Sequence, residues 1–514
     1  MSRRRKTLIV AGIVLGVAIL IPVIRHYQLR FAVANYVAEL KAKGEPMDLA
    51  QVIPPPVPPE QNSAPLFLKA ASLLDTNWNV LGSNPPPAML MVLPGKAMIE
   101  SAQPDIHTRD GKNSWEEIES ALTEDSEALK LLSQIADHPA LNFNLDYKDG
   151  VDKIKILQLA PLKRSAQKLS AAAMVDLHRG DSASAVKSVS AMLALVNGAS
   201  NDRVVISELV RIAIAQIAAP VVWEILQSTN VTDEQLATLQ HDWMNLEFIR
   251  GDENALAMER VIGRITITKW RDSSYELQNY FDRLENFEDT EQKDTAFDKF
   301  KIIIKVFMWR YWWSYPDELR LLKADQAVLE TVRSVETNYS FLTAQRQQED
   351  KLQKLFTSTN EEEAVWFSDP KEMDMHYMLS ASARGLSAVF GKVMRVEAAK
   401  QIIVTAIALK RYQLKHGNCP ADLNSLAPEF VPTIPIDAMD GEPLHYRPNA
   451  DGTFLLYSVG ANGKDDDGNP SLEKGVTGSI SYWQNDHALD WVWPQPATKE
   501  EIQTYYKKIS SQKN

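Results

Sequence analysis

Cysteine is almost absent: the 514 residues hold one, Cys419. No disulfide can form within the chain, and no zinc site can be built on thiolates. Short catalytic signatures are missing as well. There is no Gly-x-Ser-x-Gly elbow, no His-Glu-x-x-His helix, no P-loop and no Gly-x-Gly-x-x-Gly turn. The nine histidines, among them His107, His138, His178, His241 and His376, include no pair at metal-ligand spacing on one helix face. Positive charge is in deficit, with 55 Lys and Arg against 67 Asp and Glu for a net charge of -12. A nucleic-acid partner is therefore not expected, since phosphate neutralisation needs a cationic face. What is present is ordinary globular material, 45% hydrophobic and 24% charged, which excludes wholesale disorder.

The first feature is a basic leader, Met1 to Lys6, followed by a chargeless run from Thr7 to Ile24. As a helix at 1.5 Å per residue the run is about 27 Å long, near the hydrocarbon thickness of a bilayer. It is longer than the apolar part of a cleaved signal peptide, and Arg25 and Arg30 follow it. These features favour a retained anchor at residues 1–28, spanning through residues 7–24. The competing reading is cleavage after Ala32-Val33-Ala34. The basic leader favours a cytoplasmic N-terminus, hence a single-pass protein of the bacterial inner membrane with its body in the periplasm or outside.

Residues 29–104 read as a helix extension ended by Gly44 and Pro46, then a stiff proline-rich spacer around Pro54 to Pro59, with one short helix near Ala64 to Leu74. Residues 105–376 read as an α-helical body, since apolar residues recur at three- and four-residue spacing. Expected helices include Lys153 to Leu177 (interrupted by Pro161), Ala183 to Val196, Val204 to Leu226, Asp233 to Leu246 capped by Thr232, and Asp252 to Lys269. Glu253 and Glu259 on the last are groove-lining candidates set against a plain solvated face. Phe300 to Tyr315 is rich in aromatics, but Lys301, Lys305 and Arg310 divide it. It is not a second span. A core or groove-wall helix is favoured over a membrane-interface belt of Trp309, Tyr311, Trp312, Trp313 and Tyr315. Ser358 to Glu363 reads as a solvated loop.

From residue 377 the texture changes. A long helix carries a stripe at Val396, Ile403, Ile407 and Leu414 and stops at Gly417. A short strand at Leu444 to Tyr446, the turn Asp451-Gly452 and a returning strand, Phe454 to Val459, follow. Residues 377–496 thus form a small α+β module, a long helix packed on a short antiparallel sheet, and residues 497–514 a polar tail. The fold class expected is mainly α.

The order Tyr412 to Pro420, Leu423 to Leu426, Pro435 to Tyr446 and Leu456 to Gly463 resembles the globular half of type II secretion major pseudopilins, the GspG family. The resemblance covers about Val393 to Trp493, a fifth of the chain, and the whole layout resembles large bacterial membrane-anchored helical proteins. It implies the globular fold. It does not imply pilus assembly, because Arg395, Glu397, Lys400, Lys410 and Arg411 bar this helix from a bilayer or a filament core. The family's closing loop binds calcium, which makes calcium the candidate cofactor, with Asn462, Asp465, Asp467, Asp486 and Asp490 as ligands. Asn462 stands where the family has Asp, which removes a charge. The plain alternative is a solvated acidic turn. Cys419 shows no catalytic partner.

No catalytic residue emerges. The leading expectation is a membrane-anchored, non-catalytic interaction or scaffold protein with a protein partner. Its alternatives are an accessory component of a type II secretion or pilus-like machine, and an enzyme with an unrecognised site in the helical body.

Overall fold

The computed structural model describes residues 3–74, 87–108, 111–138, 140–150, 153–287, 296–338, 340–357, 382–476 and 483–512. The chain is mainly helical, with two small three-stranded sheets and a two-stranded hairpin. The expected loop at Ser358 to Glu363 lies outside the described residues.

Helix α1 (Arg3–Ala42) runs unbroken through the chargeless segment and beyond it, about 60 Å in all. Side chains of residues 3–19 lie outside the described set, so most of the chargeless segment is seen only as helical backbone. The helix ends where Gly44 adopts a φ of +83°, a conformation open to glycine at little cost. Its final turns dock on the body: Val33, Leu40 and the following Met47 are buried with Leu322. Glu45 then accepts from Arg260 Nη2 at 3.0 Å, Arg333 Nη1 at 2.6 Å and Gln326 Nε2 at 3.0 Å.

The proline-rich stretch, read as a stiff spacer, does not stand apart from the body. Val52 and Phe67, on either side of it, both belong to the main core. Asn62 and Ser63 hydrogen-bond to residues 138–142. After α2 (Ala64–Leu73) come β1 (Leu90–Leu93) and β2 (Lys96–Met98), an antiparallel pair turned at Pro94-Gly95, within the segment read as spacer and short helix. A second hairpin, β3 (Ile106–Thr108) and β4 (Gly111–Asn113), leads into α3 (Trp115–Glu124) and α4 (Ser126–Gln134).

Helices α5 (Leu159–His178), α6 (Ser182–Gly198) and α7 (Val205–Gln227) pack on one another as the centre of the body. Helix α5 starts six residues later than expected and is not interrupted by Pro161. Proline instead sits in the first turn, where its missing N–H would have had no intrahelical partner. Asp181 caps α6, and Thr232 forms a capping box with Gln235 at the start of α8 (Asp233–Met244). Helix α7 is long and apolar enough to cross a membrane by composition, but most of it is buried in the core.

Helix α9 (Phe248–Asp272) is followed by α10 (Ser274–Phe287), α11 (Ala296–Met308), a π-helical turn at Trp309–Trp313, α12 (Ser314–Asn338) and α13 (Phe341–Thr357). Here the expected core helix is only half a core helix. Ile302, Val306 and Trp309 are buried with Ile267, Trp270, Leu277 and Phe281, while Phe300, Ile303, Ile304, Phe307, Tyr311 and Trp312 are exposed.

Helix α14 (Ser382–His416) is enclosed by α7, α8, α9 and α12 and also packs on a sheet of β5 (His445–Pro448), β6 (Phe454–Ser458) and β7 (Trp491–Val492), all antiparallel. The single stripe expected for α14 is therefore too narrow: Val396, Ile403 and Ile407 are buried, Leu414 is exposed, and Ala398, Ile402 and Ala406 are buried as well. One core runs through the segments read as body and module. The backbone joins them too, Phe341 and Leu342 donating to the carbonyls of Ala438 and Met439. Strand β8 (Gln495–Pro496) pairs in parallel with β2, and the polar tail is a helix, α15 (Lys499–Gln512), packed near β1.

Candidate functional site

The turn after β6 concentrates oxygen. Gly460, Gly463, Asp467 and Gly468 all have positive φ, which bends residues 460–469 back over the sheet. Gly468 is required twice over, since a Cβ there would lie 2.7 Å from Leu455 Cδ2. The turn is locked by its own carboxylates. Asp490 takes Gly468 N and Asn469 N on Oδ2 at 2.9 Å each and Asp466 N on Oδ1 at 3.4 Å. Burial raises the Asp490 carboxyl in spite of these donors. Asp465 accepts from Tyr457 Oη at 2.8 Å and Asp467 N at 2.9 Å. Burial works against its ionisation, but these donors and His445 hold its carboxyl below the usual range. The His445 ring is stacked on Tyr457 with centroids 4.7 Å apart. Asn462 donates to Asp466 and accepts from Lys464 N.

Of the five expected calcium ligands, Asn462, Asp465, Asp467 and Asp490 thus belong to one linked turn. Asp486 points its carboxylate at Arg395 of α14, whose guanidinium also sits over the Trp491 ring. Among the described residues no three His, Cys, Asp or Glu side chains converge as a metal cluster. The donors are all oxygens, as calcium requires, but both oxygens of Asp490 are engaged by backbone N–H groups.

Asp437 was not legible as a key residue. It is fully buried, accepting from Met439 N and Ser458 Oγ on Oδ1 and from Val459 N on Oδ2. Burial pushes it up to about 6, against the pull of those donors. It ties the Pro435–Pro443 turn to the end of β6, two of the segments that carried the pseudopilin resemblance. Its position in that motif was the available signal.

The body holds a second cluster. Arg211 is ion-paired with Glu208, donates Nε to Val196 O at 2.7 Å and lies over the Phe248 ring. Gly251 packs against this pair so closely that any Cβ would collide with Arg211. Next to it Asp252 is fully buried with neither oxygen hydrogen-bonded. Burial, then the charge of Glu208, raises its carboxyl well above the ordinary value, against Arg211. The groove candidates have other duties: Glu259 Oε1 accepts from Val205 N at the start of α7, and Glu253 pairs with Arg333. His178 stacks on Trp115 and bonds Ser101 O, and His241 bonds Asn245. Cys419 Sγ lies 3.3 Å from Gly452 O, and burial, then Asp451, pushes the thiol up, away from a reactive thiolate. His376 is outside the described residues.

Comparison with family models, with curated proteins and with solved structures finds no match to this chain.

Proposed function

We propose that this is a membrane-anchored envelope protein whose body and C-terminal module serve as a non-catalytic scaffold for a protein partner. The observation that carries the reading is the clamp at the base of α1. Val33 and Leu40 are buried on the body, and Glu45 is held by Arg260, Arg333 and Gln326. Burial opposes the ionisation of Glu45, yet the three donors bring its carboxyl down to about 2. A helix held in this way makes the chargeless residues 7–24 a rigid extension of the body, which suits an anchor that must orient its cargo. In this reading the span lies in a bacterial inner membrane, N-terminus in the cytoplasm and body outside it. Alkaline extraction of membranes and external proteolysis of spheroplasts test it. The full-length chain should stay with the membrane, and its body should be digested from outside. A mature chain beginning after Ala34 would replace the anchor with a cleaved signal.

A second reading, an accessory part of a type II secretion or pilus-like machine, is supported by the seating of α14 on β6 and by the Asp437 link between two resemblance segments. Cross-linking of the full-length protein in native membranes separates the two: secretion or pilus components among the captured proteins favour this one. In either reading a calcium ion would brace the acidic turn through oxygens of Asn462, Asp465 and Asp467. Asp486 would stand aside with Arg395. Millimolar calcium, compared with chelator, should then raise the melting temperature by mass action. Asp465→Asn with Asp467→Asn should remove that rise.

A further inference from the structure

We propose that α11 is a second membrane contact, lying along the bilayer surface beside the point where α1 enters it. The helix has two faces. Ile302, Val306 and Trp309 are buried against α9 and α10, whereas Phe300, Ile303 and Phe307 on the opposite side are 57%, 55% and 55% exposed. A contiguous apolar and aromatic face of this kind marks an interaction surface.

Its place decides the occupant. The chargeless run of α1 ends at Ile24, and two residues later His26 Nδ1 meets the carbonyl of Tyr311 at 2.9 Å, with its ring against Tyr315. The C-terminal end of α11 is therefore level with the end of the spanning segment, where the headgroups must be. The residues of α1 on either side of this junction, Ile21, Ile24, Tyr27 and Phe31, are exposed too, so apolar surface flanks the end of the segment assigned to lipid.

Charge agrees. In a chain of net charge -12, no acid occurs before Glu39, and none from Lys299 to Pro316, while Arg25, Arg30, Lys299, Lys301, Lys305 and Arg310 fall in these stretches. That is the composition of an interfacial helix facing anionic lipid, with Tyr311 and Trp312 as the aromatic rim. Arg310 secures the end of the helix to the body by donating to the carbonyls of Arg271 and Asp272.

The inference rests on the anchor reading, and the test separates the two. Full-length protein carrying Cys419→Ser receives one further cysteine for a fluorescent label: Ile303→Cys, Phe307→Cys, Leu15→Cys within the run, or Gln503→Cys on α15. Each is reconstituted into phosphatidylethanolamine–phosphatidylglycerol vesicles containing lipid-borne quenchers at shallow or deep positions. An interfacial helix buried about 5–10 Å should lose about half its label intensity to the shallow quencher at 303 and 307, with no loss at 503. Leu15 should respond to the deep quencher. Quenching at 15 with labels at 303 and 307 behaving like 503 would overturn the second contact and leave the anchor standing. Labels at 303 and 307 that are shielded from water but not quenched by lipid would show a protein covering the face, which also overturns it. No quenching at 15 would remove both readings together.

Discussion

Helices α14 and α11 invert the usual relation between composition and burial. The first carries Arg395, Glu397, Lys400, Lys410 and Arg411 and is enclosed by four helices and a sheet. The second carries a short apolar and aromatic stretch and leaves half of it exposed. The difference is in the partners. Lys400 Nζ reaches Leu246 O at 2.7 Å and Glu397 at 3.0 Å, and Arg411 bonds Asp233 through Nε and Nη2 and Gln240 through Nη1. Charges so completed can be enclosed. An apolar face that is left exposed among the described residues marks a surface for something outside the fold.

The sharpest way to break this comparison is to charge the two faces of α11 in turn, beginning with the buried one. Ile302→Asp would place an unpaired carboxylate among Trp270, Val306 and Trp309. A loss of about 4 kcal/mol or more is expected, enough to abolish folding of that subdomain. Loss of cooperative unfolding by circular dichroism, or accumulation in inclusion bodies, would report it. A folded variant of near-normal stability would mean that α11 is not docked.

The next effect tests whether completed partners are what permit polar burial beneath α14. Asp437→Ala strands Met439 N, Ser458 Oγ and Val459 N. Each buried donor left without an acceptor costs about 1–3 kcal/mol, so a total of about 3 kcal/mol is expected from denaturant titration. Asp437→Asn should recover only part of this, because its amide group must face a donor.

How much of this was legible follows from the range of each interaction. Caps and turns are local, and Asp181, Thr232, Gly417 and the Asp451-Gly452 hairpin did what their neighbours dictate. Helix α7 was legible nearly to the residue, since Pro220 did not break a helix held by packing. The hairpin at 90–98 was not expected, since its strands are only three and four residues long and no alternation runs far enough to mark them. The pairing of Lys96 with Gln495 joins residues some 400 apart in sequence, which no local pattern announces. At the candidate site the acidic turn was legible as a cluster, but its inward use was not. Asp490 serves backbone N–H groups and Asp486 serves Arg395, and both facts depend on tertiary placement. Likewise the 3.6-residue period of 300–308 revealed a helix but not which face would find a neighbour.

A pH measurement sharpens the contrast between completed and incomplete buried charge. Asp325 of α12 is fully buried, and Oδ1 has no hydrogen-bond partner. Burial pushes its carboxyl up to about 8, against Arg260 and with Glu259. The unfolded chain loses this proton near pH 4, at about the model-peptide value. Between about pH 4 and pH 8 the folded state therefore holds more protons than the unfolded one, and stability falls as pH rises, by at most about 1.4 kcal/mol per pH unit. Above about pH 8 this contribution is flat. Asp325→Asn should flatten the wild-type slope between about pH 5 and pH 8, measured as the difference between the two proteins in urea. Equal slopes would assign the proton elsewhere.

The smallest expected effect completes the comparison one residue from the largest. Ile303 is exposed where Ile302 is buried. In detergent-free measurements on the folded chain, Ile303→Asp should change stability by no more than about 0.5 kcal/mol, as surface substitutions do. The pair isolates position from chemistry, since the same replacement is made on adjacent residues of one helix. A large loss at Ile303 would mean that protein already covers this face. A negligible loss leaves the face free for whatever it meets outside the fold, and any penalty that then arises only when vesicles are present belongs to the lipid surface.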